Sequence, residues 1–429
     1  MNGPSSEQGE PPGSDNLRLL GLSRIFSSLK QRNFRLFWFG QLISLIGTSM
    51  QAIGQDWLVL KLTHSAWQLG LVGALQAAPV LFFSIIGGVL ADRLPRRQLL
   101  LITQWINMLE ALLLWALIAT GQVQLWHLYI LAPLLGLTGT IYRPASRAFL
   151  VELVGRDDLP NAIALYSSIS TLARIVGPGL GGVIIAISSE TQLFLLNALS
   201  FLPVIAGLLL MRSHELAIQP TTGKRASARQ SLREGIDYCL RTPAVLQIIV
   251  VVGLVLLFGS NFGVILPVFA TDVLHAGPTG FGFLSAAASG GALLAALWLA
   301  WKNQQPTVRL LLLYMLLFGL LEVVFSLSPI YFLAILLLAS IGFLENAFAA
   351  QAMTTLQQIT PDHLLGRVIS VQVLFFDGSL PLGYMLIGWL SSLYGPSIAL
   401  LVGALLTLLT VGAGWLWHSL PRRSEGSSS

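Results

Sequence analysis

The feature that most constrains this chain is a run of twelve long apolar blocks separated by short polar stretches. About 20 apolar residues cross the hydrocarbon core of a bilayer as a helix, because a helix satisfies every backbone N–H and C=O within one segment. The blocks predict spans at 36–60, 67–90, 99–119, 127–147, 161–187 and 192–211, then at 244–270, 280–301, 309–327, 330–354, 368–393 and 396–418. Composition agrees: 10% of the residues are charged and 55% apolar, whereas a soluble domain is roughly 25% charged. An ordinary soluble protein is excluded.

The few charges that remain set the orientation. Lys and Arg are retained on the cytoplasmic side of a membrane, and all but two of the 24 basic residues fall on one side: before span one, in alternate connections counted from the one after span two or at the adjoining span ends (Arg143 and Arg147 of span four, Arg309 of span nine), or after span twelve. The exceptions are Lys61, at the end of span one, and Arg174, inside span five. Both termini are therefore expected in the cytoplasm, and the net charge of +5 reflects topology and contact with anionic membrane lipid rather than nucleic acid. The expected organisation is a disordered cytoplasmic tail over 1–35, a six-helix bundle over 36–211, a cytoplasmic linker over 212–243, a second six-helix bundle over 244–418 and a tail over 419–429.

The halves are related. At an offset of 206 residues Gly177 falls on Gly383 and Gly182 on Gly388, which suggests that spans five and eleven are equivalent elements of a parallel repeat. In such proteins the substrate site lies between the halves near the bilayer midplane. The one cysteine, Cys239, excludes a disulfide framework. The six histidines have no metal-ligand spacing, and no phosphate-binding loop is present, so neither a metal, a cofactor nor ATP drive is expected.

After span two the chain reads Gly88-Val-Leu-Ala-Asp92-Arg93-Leu-Pro95-Arg96-Arg97-Gln-Leu-Leu100. This resembles the loop signature of the major facilitator superfamily, G-x-L-A-D-R-x-G-R-R-x-x-L, with Pro95 in place of the usual glycine. The resemblance implies a conformational latch made by Gly88, Asp92, Arg93, Arg96 and Arg97, with Asp92 reaching the start of span eleven near Gly366-Arg367-Val368 and either Arg143 or Arg147 of span four. A carboxylate at a helix N-terminus is stabilised by free N–H groups and the helix dipole. Span five contains Gly177-Pro178-Gly179-Leu180-Gly181-Gly182, which resembles the antiporter motif of proton-coupled exporters in this superfamily. With Arg32-Asn33-Phe34-Arg35 entering span one, Pro144-Ala145-Ser146-Arg147 ending span four and Leu365-Gly366-Arg367 entering span eleven, the chain resembles the subgroup of enterobactin exporters and multidrug permeases from about residue 30 to 420. An all-α, polytopic membrane protein with the major facilitator fold is implied. The second half carries no good copy of the loop signature.

An ionisable side chain at mid-membrane costs on the order of 2.5 to 3.5 kcal/mol even on insertion scales, so each is a functional candidate. Six stand out: Asp56, Glu110, Arg174, Glu322, Glu345 and Asp377. Glu110 lies halfway along span three with no cation near it in sequence. Arg174 should face a cavity or pair with an acid, Asp377 and Glu110 being candidates. Trp38, Trp57, Trp67 and Trp126 read as interfacial anchors. These features imply a monomeric, proton-coupled exporter of a small molecule in the inner (plasma) membrane, working by alternating access. The alternatives are a nutrient importer of the same fold and a membrane-embedded enzyme, for which no cluster of catalytic polar residues is found.

Overall fold

A computed structural model describes residues 26–216, 228–302 and 306–419. Among them there is no strand. Fourteen α-helices follow one another: α1 (Arg32–Thr63), α2 (Ala66–Arg93), α3 (Arg96–Ala119), α4 (Leu125–Val154), α5 (Leu159–Ile187) and α6 (Glu190–Leu210) form the first half. Then come α7 (Ala228–Arg241), α8 (Pro243–Phe258), α9 (Phe262–Asp272), α10 (Gly277–Lys302), α11 (Val308–Ser326), α12 (Tyr331–Ile359), α13 (Asp362–Tyr394) and α14 (Pro396–Ser419). Counting α8 and α9 as one interrupted span, twelve are long and apolar enough to cross a membrane. The chain is a multi-pass membrane protein.

Three boundaries differ from expectation, each for a physical reason. The described chain begins before residue 36: a 3-10 turn at Ser27–Lys30 precedes α1. It is tied to the junction of α4 and α5, where Ser27 Oγ donates to Asp158 Oδ1 at 2.8 Å and the Ser28 backbone N–H donates to Asn161 Oδ1 at 3.2 Å. The tails at 1–25 and 420–429 lie outside the described residues, as does 217–227 of the linker. The rest of the linker includes α7, whose Gly235 and Cys239 face inward while Arg233 and Asp237 stay exposed. Burial pushes the Cys239 thiol up to about 11, so it serves as a small apolar anchor. The third difference is the seventh apolar block, which breaks at Gly259-Ser260-Asn261. Glycine there weakens the helix, and serine and asparagine side chains compete for backbone groups; Asn261 Nδ2 donates to the Leu257 carbonyl at 2.8 Å.

Within the first half α1 packs on α5 and α6, α2 on α4, and α3 on α6; within the second, α10 packs on α12, α11 on α12 and α14, and α8 on α13. The halves meet chiefly along α2 with α13 and α5 with α10. The internal match appears here as geometry. Gly177 lets α5 approach α1, where an added Cβ would lie 3.1 Å from the Ile46 carbonyl, and its counterpart Gly383 lets α13 approach α8 at the Leu257 carbonyl, 2.5 Å away. Gly182 and Gly388 do the same across the two interfaces between halves, at Gly282 and at Gly70. The repeat thus maps α5 onto α13, α1 onto α8 and α10 onto α2.

Candidate transport site

Where the halves meet, a cavity of about 340 Å³ lies between α1, α2, α4, α9 and α13, at the small end of the range for ligand pockets. Gly73, Gly136, Gly139 and Gly263 on its wall carry no side chain to fill it. Its polar groups come from both sides: Gln55 and Asp56 of α1, Gln76 of α2 and Arg143 of α4 from the first half, Asp377 and Tyr384 of α13 from the second. Gln55 Nε2 donates to Gln76 Oε1 at 2.9 Å. Arg143 stands in electrostatic range of Asp377, and Asp56 in range of the Tyr384 hydroxyl. Between these groups the wall is apolar, with Leu69, Val80, Leu135 and Val264. Such a surface suits a small amphipathic molecule, and the Arg143–Asp377 pair puts opposite charges on opposite halves.

At the end opposite the chain termini the two halves pack backbone to backbone. On one side α2 crosses α13, where a Cβ on Gly388 would lie 2.8 Å from the Ala66 carbonyl and 3.2 Å from the Gly70 Cα. On the other, α5 crosses α10, where a Cβ on Gly182 would lie 2.5 Å from the Pro278 carbonyl and 3.1 Å from the Gly282 Cα. Small residues let membrane helices pack backbone to backbone. The antiporter-like segment is divided between two duties, since Gly177 and Gly181 face α1 while Gly182 faces the other half. Pro178 also lies at this contact, its carbonyl directed at Gly282. At the basic end, by contrast, a Cβ on Gly88 or Gly366 would meet nothing within 4 Å.

Arg96 and Arg97 of the loop signature bond within their own half. Arg96 forms an ion pair with Glu152 of α4. Arg97 closes the end of α6, donating through Nε to the Leu208 carbonyl at 2.7 Å and through Nη1 to Ser213 Oγ at 2.8 Å. Arg93 is exposed, and the Asp92 side chain lies outside the described residues. Arg143 is in electrostatic range of Asp377, Arg147 is exposed and in electrostatic range of Tyr166, and Arg367 at the start of α13 forms an ion pair with Glu234 of α7. Glu234, Glu152 and the docked α7 were not foreseen from sequence. The i, i+4 spacing of Gly235 and Cys239 was the available signal.

The other intramembrane ionisable groups stand off the cavity wall. Glu110 is 2% exposed and accepts from Gln51 Nε2 at 2.8 Å; Asn197 donates in turn to Gln51, and Ser200 to Asn197. This chain ties α3, α1 and α6 together. Arg174 is accessible on α5, and the acid in its electrostatic range is Glu345 of α12 rather than Asp377 or Glu110. Glu345 accepts from Ser260 Oγ at the break between α8 and α9. Glu322 of α11 is fully enclosed. Among the described residues no cluster of His, Cys, Asp and Glu fits a metal ion. Trp38 is held by its indole N–H on the Leu165 carbonyl at 3.1 Å.

The profile of the transmembrane secretion effector family matches residues 23–428. The multidrug efflux pump Tap of Mycolicibacterium fortuitum is 28% identical over 408 residues, covering 93% of this chain and 98% of its own. The staphyloferrin A transporter of Staphylococcus aureus is 27% identical, covering 84% and 90%, and the enterobactin exporter EntS of Escherichia coli is 27% identical, covering 88% and 92%. Among solved structures, the nucleoside transporter NupG superposes with a TM-score of 0.73 at 11% identity, covering 91% of this chain and 100% of that one. A bacterial homologue of the iron transporter ferroportin, in an inward-facing state, gives 0.68 at 16% identity, covering 90% and 99%. At such identities the structures show a shared fold.

Proposed function

Because the chain belongs to the transmembrane secretion effector family, a group of major facilitator transporters rather than enzymes, we propose that it is a proton-driven exporter of small amphipathic compounds. The observation that carries this reading is the cavity between the halves, with Asp377 on one side and Arg143 on the other. The distribution of Lys and Arg assigns the basic end, with both termini, to the cytoplasm of an inner-membrane protein. With the opposite end sealed by Gly182–Gly282 and Gly388–Gly70, the conformation is inward-facing and loads substrate from the cytoplasm. Names among the relatives, a multidrug pump and two siderophore transporters, point to drugs or siderophores as the substrate class. The protein acts as a monomer in contact with anionic lipid.

The cycle follows from charge. With Asp377 ionised, its attraction to Arg143 draws the halves together around the cavity. A proton arriving from outside neutralises Asp377, removes that attraction and frees Arg143, which changes the relative energy of inward- and outward-facing states. Substrate binds the alternate state, and linkage requires proton and substrate to bias the equilibrium in opposite directions. Asp56, on the same wall, is the second coupling group. Glu110 fixes the packing of α1, α3 and α6 instead.

The test is efflux of a lipophilic cationic dye driven by a pH gradient in reconstituted vesicles. Asp377→Asn should abolish gradient-driven efflux while leaving dye exchange at equilibrium, and Glu110→Gln, which keeps the hydrogen bond to Gln51, should stay within about twofold of the parent. Unchanged gradient-driven efflux in Asp377→Asn removes this residue from coupling.

A further inference from the structure

The two crossings at the end opposite the chain termini are built alike and differ in one side chain. At one, a Cβ on Gly70 would lie 2.4 Å from the Tyr384 carbonyl and 3.2 Å from the Gly388 Cα. At the other, a Cβ on Gly282 would lie 2.4 Å from the Pro178 carbonyl and 3.0 Å from the Gly182 Cα. The offset of 206 residues that pairs Gly182 with Gly388 also pairs Pro178 with Tyr384. The same backbone approach therefore forms with proline at this position as with tyrosine. The crossing does not need the Tyr384 ring, so the ring has another task.

Its surroundings show which. The ring lies against α2, where a Cβ on Gly73 would come 3.0 Å from Tyr384 Cδ2, and the hydroxyl ends beside α9, where a Cβ on Gly263 would lie 3.5 Å away. Glycine at both places leaves room for the ring, and at Gly73 even a methyl group would press on it. Tyr384, Gly73 and Gly263 all line the cavity. Helix direction puts them at one margin of it. α2 begins at Ala66, at the end opposite the termini, and its cavity residues run from Leu69 to Val80, about 16 Å at the helical rise. α13 runs the other way, so Asp377 lies toward the termini and Tyr384 lies about two turns further out. One turn beyond Tyr384, Gly388 is packed against Ala66 and Gly70. The ring thus reaches from α2 of the first half to α9 of the second, between the cavity and the outer crossing.

We propose that Tyr384 is the outer gate of the cavity: its ring, seated on Gly73 and reaching Gly263, bars the way from the cavity to the outside and leaves this seat when α2 and α13 part. A tyrosine ring suits the task as a rigid plate with two side-chain torsions. The gate rests on the transporter reading for what passes it. Its test needs neither substrate nor proton gradient, so failure here leaves the exporter reading intact, and failure of the export assay leaves this measurement unaffected.

The full-length chain carrying Cys239→Ser and Ala77→Cys is placed in sealed vesicles of each orientation. Ala77 is on the cavity wall, one turn of α2 past Gly73 toward the termini, so a thiol there lies on the inner side of the ring. A membrane-impermeant methanethiosulfonate is added from one side at a time, and the rate of modification is recorded. From the outer side the parent reacts only while its cavity faces outward, a minor state of about 0.1–10%. Tyr384→Ala should raise the outer rate at least about tenfold and leave the rate from the side of the termini unchanged. Tyr384→Phe, which keeps the ring, should keep both parental rates. An unchanged outer rate in Tyr384→Ala overturns the proposal. So does an outer gain matched by an equal loss from the other side, which would mean that the ring only weights the two states, and so does a Tyr384→Phe that behaves like Tyr384→Ala. A Tyr384→Ala that does not fold is replaced by Tyr384→Leu, read in the same way.

Discussion

Gly182 shows how much a single residue can decide. Its missing Cβ lets α5 touch the backbone of α10 at Pro278 and Gly282, and a carbonyl cannot move aside as a flexible side chain would. Gly182→Val should destabilise the sealed end by about 1–3 kcal/mol, the usual range for overpacking, and shift molecules toward the alternative state. Spin labels at the facing ends of α5 and α10 would report longer distances in the variant; an unchanged distribution would mean that the close approach does not hold the seal. The same residue was legible in sequence as part of a motif, but its partner was not, because a contact between helices about 100 residues apart leaves no local mark. The acids divide likewise. All six intramembrane ionisable groups could be named from the cost of placing charge in lipid, yet which of them share a cavity depends on helix rotation, and a shift of one residue turns a side chain through about 100°.

Among the elements, the linker helix α7 is the clearest addition to what the sequence announces. It lies along the start of α13, with Glu234 paired to Arg367, Gly235 against the Arg367 carbonyl and the Tyr238 hydroxyl donating to the Ile359 carbonyl at 3.4 Å. Both members of the ion pair are about one-third exposed, so the pair contributes at most about 1 kcal/mol, and the docking rests mainly on packing of Gly235 and Cys239. Arg367→Glu should therefore loosen α7 without unfolding the bundle, and the double exchange with Glu234→Arg should restore it. Maleimide labelling of Cys239, slow in the parent because the thiol is buried and held protonated, reads this directly: faster labelling is expected in Arg367→Glu and parental labelling in the exchange. Equal rates in all three would place the docking elsewhere. The linker looked like a featureless polar stretch because, among the described positions of its helix, Gly235 and Cys239 are the inward ones. The twelve spans were legible because lipid imposes length and apolarity on each, while the break at Gly259-Ser260-Asn261 sits inside an unbroken apolar block.

At the scale of the molecule, two halves line a cavity with Arg143 on one side and Asp377 on the other, and paired glycines bring the halves into close contact at one end. The energetics suffice for export of an uncharged substrate by one proton: one elementary charge crossing 100 mV releases about 2.3 kcal/mol, enough for roughly a fiftyfold concentration ratio, whereas exchange of a monovalent cation for one proton is electroneutral and draws on the pH gradient alone. Coupling of that energy to substrate is measured most directly in vesicles containing only this protein and lipid, without nucleotide. When a lipophilic cationic dye or a catecholate siderophore is added on the side of the basic termini, substrate should move toward the opposite side and protons should move back, recorded by an internal pH dye. Proton movement that depends on substrate and disappears in Asp377→Asn is the predicted result. Substrate movement with no accompanying proton flux, or protons moving in the same direction as substrate, would contradict proton-driven export.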